Sequence, residues 1–225
     1  MTLTTPKAIL FDWDNTLADT WPIIHRSLHK TFTDMGHTPW TIEEVKEKVH
    51  RSMRDSFPEI FGDDWEKASS IYQTFFTENH LKDLEVLEGA VDVLTHLRAK
   101  DVYMAVVSNK TGHNLRKEVT HIGWDRFFDK VVGAKDARED KPSSAPVLLA
   151  LEGSGIALGP DVWLIGDSLT DLECAYNSGI TPIFYGDADL SEERFRPFPP
   201  KRHLRNHDEL LAFFESVGLK ERQRA

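Results

Sequence analysis

The chain has 225 residues and a formal net charge of −10, with 40% hydrophobic and 28% charged residues. That composition describes an ordinary globular protein able to bury a sizeable core. The acidic balance argues against broad electrostatic binding to nucleic acid or to an anionic membrane. No apolar run approaches the ~18 residues of a membrane span, and the amino terminus has no basic segment leading into a long apolar stretch. With a single cysteine, Cys174, no disulfide can close within the chain. The expectation is a cytoplasmic protein.

In chain order, the apolar run Ala8-Ile9-Leu10-Phe11 predicts a buried strand. It leads directly into Asp12-Trp13-Asp14-Asn15-Thr16-Leu17. In an open parallel sheet, ligands bind beyond the carboxyl ends of the strands, and these two aspartates would sit there. Carboxylates so close repel one another unless a cation or a shared proton relieves them. A hard divalent ion with oxygen ligands, such as Mg²⁺, is the natural remedy.

Residues 21–85 read as helical throughout, with no convincing strand. Ile24, Leu28, Phe32 and Met35 fall on one helical face. Thr41-Ile42-Glu43-Glu44 is a capping box, opening a helix with Ile42, Val45 and Val49 inward. Trp65, Ala68, Ile71, Tyr72 and Phe75 mark another helix. The stretch between, 51–64, contains Pro58 and Gly62 and is expected to be a loop with a short helix.

From about Leu87 the pattern becomes alternating helix and strand. A helix carrying Val91, Leu94 and Leu97 precedes a strand over Val102 to Val107 that ends at Ser108-Asn109. A helix around 115–122 and a short strand near Val131-Val132 follow, and Lys141-Pro142 opens a helix with Val147, Leu148 and Leu151. The strand Val162 to Ile165 ends at Gly166-Asp167, with a helix around 172–178 and a further strand from Ile180 to Tyr185 after it. A proline-rich loop near 196–200, an amphipathic helix with Leu210, Leu211, Phe214 and Val217, and a solvated tail over 220–225 complete the chain. Such alternation predicts an α/β fold with a parallel sheet covered on both faces.

Each buried strand is followed by chemistry-bearing residues: Asp12 and Asp14, then Ser108-Asn109, then Asp167 with Asp171 one helical turn on. Parallel strands bring these ends to one edge of the sheet. Lys141 adds a cation at a helix start, where a positive charge opposes the helix dipole unless an anion lies between them, and Pro142 suits the first helical position.

These residues resemble the haloacid-dehalogenase-like hydrolase superfamily, more closely its phosphoglycolate-phosphatase-like members with a helical cap. Asp12-Trp13-Asp14-Asn15-Thr16, Val106-Val107-Ser108-Asn109, Lys141-Pro142 and Gly166-Asp167-Ser168-Leu169-Thr170-Asp171 match its four motifs in order. One departure is Ser144, where relatives often carry a second proline after the lysine. The resemblance implies a Rossmann-like core formed by 1–20 and 86–225, with 21–85 inserted as an all-helical cap. It also implies a Mg²⁺-dependent phosphatase acting on a small phosphate ester, with phosphoglycolate the first expectation.

By that resemblance Asp12 is the nucleophile that forms an aspartyl-phosphate and Asp14 the general acid and base. Asp12, the backbone of Asp14, and Asp167 hold the metal, with Asp171 acting through water or by orienting the other ligands. Ser108 and Lys141 bind the phosphoryl oxygens. Thr16 either bonds the phosphate or holds its loop. Asn109 stands among the substrate-binding residues or orients the loop, Lys110 reads as solvated, and Cys174 as core packing. In the cap, Arg51 and Arg54 either pair with a substrate carboxylate or second phosphate or lie along the surface. Trp13 either lines the leaving-group pocket or packs beneath the cap.

Other activities differ in what they require. A haloacid dehalogenase has no need of Asp14 or of the metal set. A phosphonate hydrolase needs a cap lysine, for which Lys46, Lys48 and Lys67 are candidates by residue type alone. A sugar phosphomutase shares both site and cap. A non-catalytic binding protein would be free to lose Asp12 or Lys141, and both are present. Oligomeric state is not legible in the sequence.

Overall fold

The computed structural model describes residues 3–219 apart from His50 and Asp83; the tail expected over 220–225 lies outside them. The strand β1 (Ala8–Phe11) is followed by the short β2 (Ala18–Asp19), then the helices α1 (Trp21–Asp34), α2 (Ile42–Lys48), α3 (Met53–Phe61) and α4 (Trp65–Asn79). The chain returns through β3 (Glu85–Val86) to α5 (Ala90–Ala99), β4 (Tyr103–Thr111), α6 (Gly112–His121), β5 (Lys130–Ala134) and α7 (Ala145–Leu151). It ends with β6 (Val162–Gly166), α8 (Leu169–Ser178), β7 (Thr181–Tyr185), β8 (Arg202–Leu204) and α9 (His207–Ser216).

Among the described residues the main sheet has six strands in the order β5-β4-β1-β6-β7-β8, all paired in parallel. β1 is central, and Phe11 lies level with both Val106 and Ile165. The residues after β1, within β4 and after β6 therefore reach the same edge. Alternate side chains divide the core into two layers, as the period of two requires. Ile9, Phe11, Met104, Val106 and Trp163 pack with Leu94, Leu115 and Phe214 of α5, α6 and α9. Ala8, Leu10, Ala105, Val107 and Leu164 pack with Val147, Leu151 and Ala175 of α7 and α8.

The helical insert has a core of its own. Ile24, Leu28 and Phe32 of α1 pack with Val45, Phe57, Phe61, Ala68 and Phe76. The capping box at Thr41 forms as expected: its hydroxyl accepts the Glu44 N–H at 3.2 Å while its own N–H donates to Glu44 at 2.9 Å. Of the three residues expected inward on α2, Val45 is buried and Ile42 and Val49 are half-buried.

Several local expectations are corrected. Most of 51–64 is helix: α3 runs through Pro58 and ends where Gly62 takes φ 56°. Val91 and Leu148 face outward, 38% and 52% exposed, because Ala90, Val93, Leu94 and Pro146, Val147, Ala150 occupy the inward arcs. β4 continues two residues past Asn109, to Thr111. The pair β2–β3, with Ala18 opposite Val86, joins the entry and exit of the insert, and β8 adds an edge strand after the proline-rich loop. Segments of two and three residues offer no periodicity to read.

Where α9 begins, His207 packs against the start of α5. A side chain at Gly89 would bring its Cβ within 2.8 Å of the His207 Cβ, and Gly89 has φ 78°, so glycine is required there on both counts. His207 Nδ1 lies 2.9 Å from the Tyr185 hydroxyl, and burial pushes its imidazole down to about 4. The unfolded chain, with an ordinary histidine, binds the proton first, so stability rises with pH between about 4 and 6.5. His207 is therefore expected to contribute on the order of 3 kcal/mol above pH 6.5 that disappears as pH falls through this window. Urea unfolding at pH 7.5 and 4.5 tests this, with His207→Gln expected to flatten the difference.

Candidate active site

Asp12 directly follows β1, and its N–H donates to the Ile165 carbonyl at 2.8 Å, which pins it to the neighbouring strand. The chain then folds back: the N–H groups of Leu17 and Ala18 both donate to the Trp13 carbonyl, at 3.0 and 3.1 Å. Asn15 takes φ 59°, a conformation asparagine tolerates better than most residues. Its side chain accepts the Thr20 N–H at 3.2 Å, closing the turn.

Three carboxylates meet at the sheet edge. Oxygens of Asp12, Asp167 and Asp171 lie within 4.8 Å of one another. The Asp14 carboxylate stands outside this group. Lys141 Nζ lies 2.8 Å from Asp12 and 2.6 Å from Asp171. The second Asp171 oxygen accepts the Ser168 N–H at 3.1 Å and hydroxyl at 2.6 Å, as a helix cap. A side chain on Gly166 would collide with the Asp171 carboxyl, so glycine leaves the space this residue occupies.

The electrostatics follow from burial. Asp12 is pushed up to about 6 by burial, against the pull of Lys141 and with help from Asp171 and Asp14. Asp167 is held well above the usual carboxylate range by burial and by the charges of Asp12 and Asp171. Burial opposes the charge on Lys141, but Asp12 and Asp171 outweigh it and raise the ammonium. Three carboxylates facing one lysine leave excess negative charge in a poorly solvated space. A divalent cation with oxygen ligands fits both the donor set and that excess.

Lys141 does not open a helix. It lies in a turn closed by the Ser143 N–H on the Asp140 carbonyl at 2.9 Å, and α7 begins at Ala145 with Ser144 as its cap. Asn109 positions the lysine instead: its amide accepts the Lys141 N–H and donates to the Lys141 carbonyl, each at 2.9 Å. Both ends of the amide are thus engaged by main chain, which favours the loop-orienting alternative over direct substrate contact. Ser108 is buried at the cavity wall, and its hydroxyl accepts the Lys110 N–H at 3.3 Å. Thr16 is fully buried, its hydroxyl donating to Asp167 at 3.3 Å, which holds that carboxylate instead of presenting a group to a ligand.

Lys110 corrects the expectation of a solvated side chain. It is 8% exposed and lies 2.6 Å from both Asp14 and Glu118. Burial works against its charge, but the two carboxylates outweigh that and raise the ammonium. Glu118, fully buried, also accepts the Trp13 indole N–H at 2.6 Å and lies 2.7 Å from His80 Nδ1. Despite its burial, Lys110 and His80 hold it below the usual range. Trp13 is therefore core, fully buried and set edge-on to Trp124. A signal for this network was available: Leu115, Glu118, Val119 and Ile122 share a helical face, and a carboxylate on an apolar face needs a partner. Cys174 packs in the core as expected.

In the insert, Arg54 forms an ion pair with Asp140, at 2.6 and 3.0 Å, and Arg51 pairs with Glu59 at 2.5 Å. Both line a cavity of about 250 Å³ shared with Asp12, Asp14, Ser108, Lys141 and Asp167. The cluster thus opens into a half-open space between the strand ends and the helices.

Residues 9–184 match the haloacid dehalogenase-like hydrolase family. The chain is 28% identical over 216 residues to the pyrophosphatase PpaX of Halalkalibacterium halodurans, spanning 96% of this chain and 99% of that protein. It is likewise 28% identical over 196 residues to the phosphoglycolate phosphatase of Chromobacterium violaceum, spanning 82% and 88%. The solved structure of a HAD-superfamily hydrolase from Ehrlichia chaffeensis superposes with a TM-score of 0.66 at 28% identity, covering 96% of this chain and 99% of that one. With strand ends, lysine and carboxylates in this arrangement and the match extending across most of its length, the chain belongs to the haloacid dehalogenase-like hydrolases.

Proposed function

We propose that this protein is a Mg²⁺-dependent phosphatase that hydrolyses a small phosphate monoester through an aspartyl-phosphate on Asp12. The observation that carries the reading is the meeting of Asp12, Asp167, Asp171 and Lys141 in one buried cluster that opens into the same cavity as Asp14. The named activities of the two relatives, one on pyrophosphate and one on phosphoglycolate, share cleavage of a phosphoryl bond to oxygen.

Phosphate monoesters hydrolyse so slowly unaided that the site must remove a very large barrier. An Asp12 oxygen attacks phosphorus while the bond to the leaving alkoxide breaks, and Asp14 supplies the proton that the alkoxide needs. Asp14 then takes a proton from the water that attacks the aspartyl-phosphate, releasing inorganic phosphate and restoring the Asp12 carboxylate. Lys141 and the Ser108 hydroxyl face the phosphoryl oxygens, where negative charge is concentrated. Lys110 keeps the Asp14 carboxylate in place through its 2.6 Å ion pair, and Glu118 keeps Lys110 in place. A bound Mg²⁺, held by Asp12, Asp167 and the Asp14 backbone with Asp171 behind them, would neutralise charge on the phosphoryl group. The pairing of Arg54 with the buried Asp140 withholds that guanidinium from the carboxylate of phosphoglycolate, leaving only Arg51, which is exposed and paired with the exposed Glu59. Phosphoglycolate is therefore a reference substrate here, not the favoured one.

Phosphate release from a set of esters, with Mg²⁺ and with chelator, tests the reading. Release is expected to require the metal and to fall by a factor on the order of 10³ or more in Asp12→Asn; release indifferent to both would overturn it. Mg²⁺ at a hundred times its dissociation constant is expected to stabilise the fold by about 2.7 kcal/mol, read as a rise in thermal midpoint that Asp167→Asn removes. Lys110→Met leaves Glu118 buried without its cation. It is expected to cost about 3–5 kcal/mol of stability and to lower kcat, measured by denaturant unfolding and steady-state kinetics.

A further inference from the structure

The cavity above the carboxylates has two unlike walls. Its floor carries the cluster just described, while the insert contributes Ile24 and Leu28 from α1, Met53, Phe57 and Ile60 from α3, and Phe76 from α4. Aromatic rings line one side: Phe57 meets Tyr72 edge-on with centroids 5.6 Å apart, and Tyr72 stacks on Phe76 at 5.7 Å. The polar side chains mixed among them on α4, Ser69, Tyr72 and Gln73, are neutral. Burial, with the charges of Asp14 and Glu118, pushes the Tyr72 phenol up, away from ionisation.

Among the described residues, five of the six cations on the wall are paired. Lys48 pairs with Glu44, Arg51 with Glu59, Arg54 with Asp140, Lys110 with Asp14 and Glu118, and Lys141 with Asp12 and Asp171. Lys135 is exposed, on the loop that follows β5. Recruiting Arg54 to a substrate anion would strip the partner from Asp140, whose side chain is 1% exposed. Burying an unpaired carboxylate is strongly unfavourable, so Arg54 stays with Asp140, and a second anionic group on the substrate has only the exposed, screened charges of Lys48, Arg51 and Lys135 to draw on.

Resting on the phosphatase reading, we infer that the ester cleaved here carries an uncharged, largely apolar leaving group: the phosphate of an alcohol or phenol about the size of one ring. The volume agrees. An apolar cavity of ~150 Å³ takes up benzene, so the space of about 250 Å³ holds a ring together with a phosphoryl group seated on the carboxylates. Ring faces and edges supplied by Phe57, Tyr72 and Phe76 suit such a group, and Ser69, Tyr72 and Gln73 can bond a hydroxyl on it. Hydrolysis transfers the phosphoryl group to water and yields inorganic phosphate and the neutral alcohol.

The test uses esters whose leaving alcohols are of similar basicity, so that bond strength does not decide the ranking: benzyl, phenethyl, hexyl and ethyl phosphate, beside 2-phosphoglycolate. Benzyl and hexyl phosphate are expected to exceed ethyl phosphate and phosphoglycolate in kcat/KM by about tenfold or more. Gln73→Lys, checked for folding by circular dichroism, places a cation in the chamber and is expected to narrow or reverse the advantage over phosphoglycolate. Phosphoglycolate ranking first among the esters in the native protein would overturn this inference while leaving the phosphatase reading standing. A flat ranking of the alkyl esters would do the same. Metal-dependent release from none of the esters would overturn the phosphatase reading and this inference with it.

Discussion

A buried ammonium clamped between two carboxylates is the constraint on which the site depends. Lys141 reaches Asp12, after β1, and Asp171, in the first turn of α8, from a turn that belongs to neither element. Each of these groups is expensive to bury alone, and together they make one another tolerable. The arrangement demands that separate parts of the chain arrive at one point within a few tenths of an ångström. The parallel sheet supplies that: Phe11 is level with Val106 on one side and Ile165 on the other, so the strand ends stay aligned. Asn109 then fixes the lysine by gripping its main chain on both sides.

A second buried network stands beside the first, and the two divide the labour. Around Lys141 the carboxylates are in excess, which suits a cation and a phosphoryl group. Around Lys110 the charges are closer to balance: Asp14 and Glu118 share the lysine, while Trp13 and His80 complete the bonding of Glu118. Asp14 is therefore attached to the core through Lys110 and to the end of α4 through Glu118 and His80. Lys110 also lies 5.1 Å from the Phe76 ring centroid, so a helix of the insert and Asp14 share the same small group of side chains.

How much of this was legible in the sequence depended on the length of each signal. β1, β4 and β6 are apolar runs ending in polar residues, and both their existence and their shared edge could be read from pattern alone. The short β2, β3 and β8 could not, since two or three residues carry no period and their pairing is a property of the whole fold. Pro58 and Gly62 suggested a loop, yet packing of Phe57 and Phe61 into the insert's core carries α3 through the proline. Among site residues, Asp12, Asp167, Asp171 and Lys141 came together as the motif spacing implied. Lys110 did not announce itself, because a lysine at a strand end is ordinarily solvated and only the depth of Glu118 on α6 makes it otherwise. Thr16 and Asn109 were placed in the right neighbourhood, but whether a hydroxyl or an amide faces a ligand or a neighbouring group is decided by ångströms that spacing cannot convey.

The small pair β2–β3 has a consequence out of proportion to its size. By setting Ala18 beside Val86 it brings the two ends of the helical insert together at a single doorway. Everything from α1 to α4 enters and leaves through it, and beyond this doorway the insert meets the core at a few points such as Arg54–Asp140 and His80–Glu118. Insertions whose ends lie close together are the kind a fold absorbs most readily. Substitutions at Met53, Ile60 or Gln73 can thus reshape what is admitted to the carboxylates while the strand ends that hold them stay where they are. Under the proposed function the reacting carboxylates lie outside the insert while most of the apolar cavity wall lies within it, so the two can vary separately.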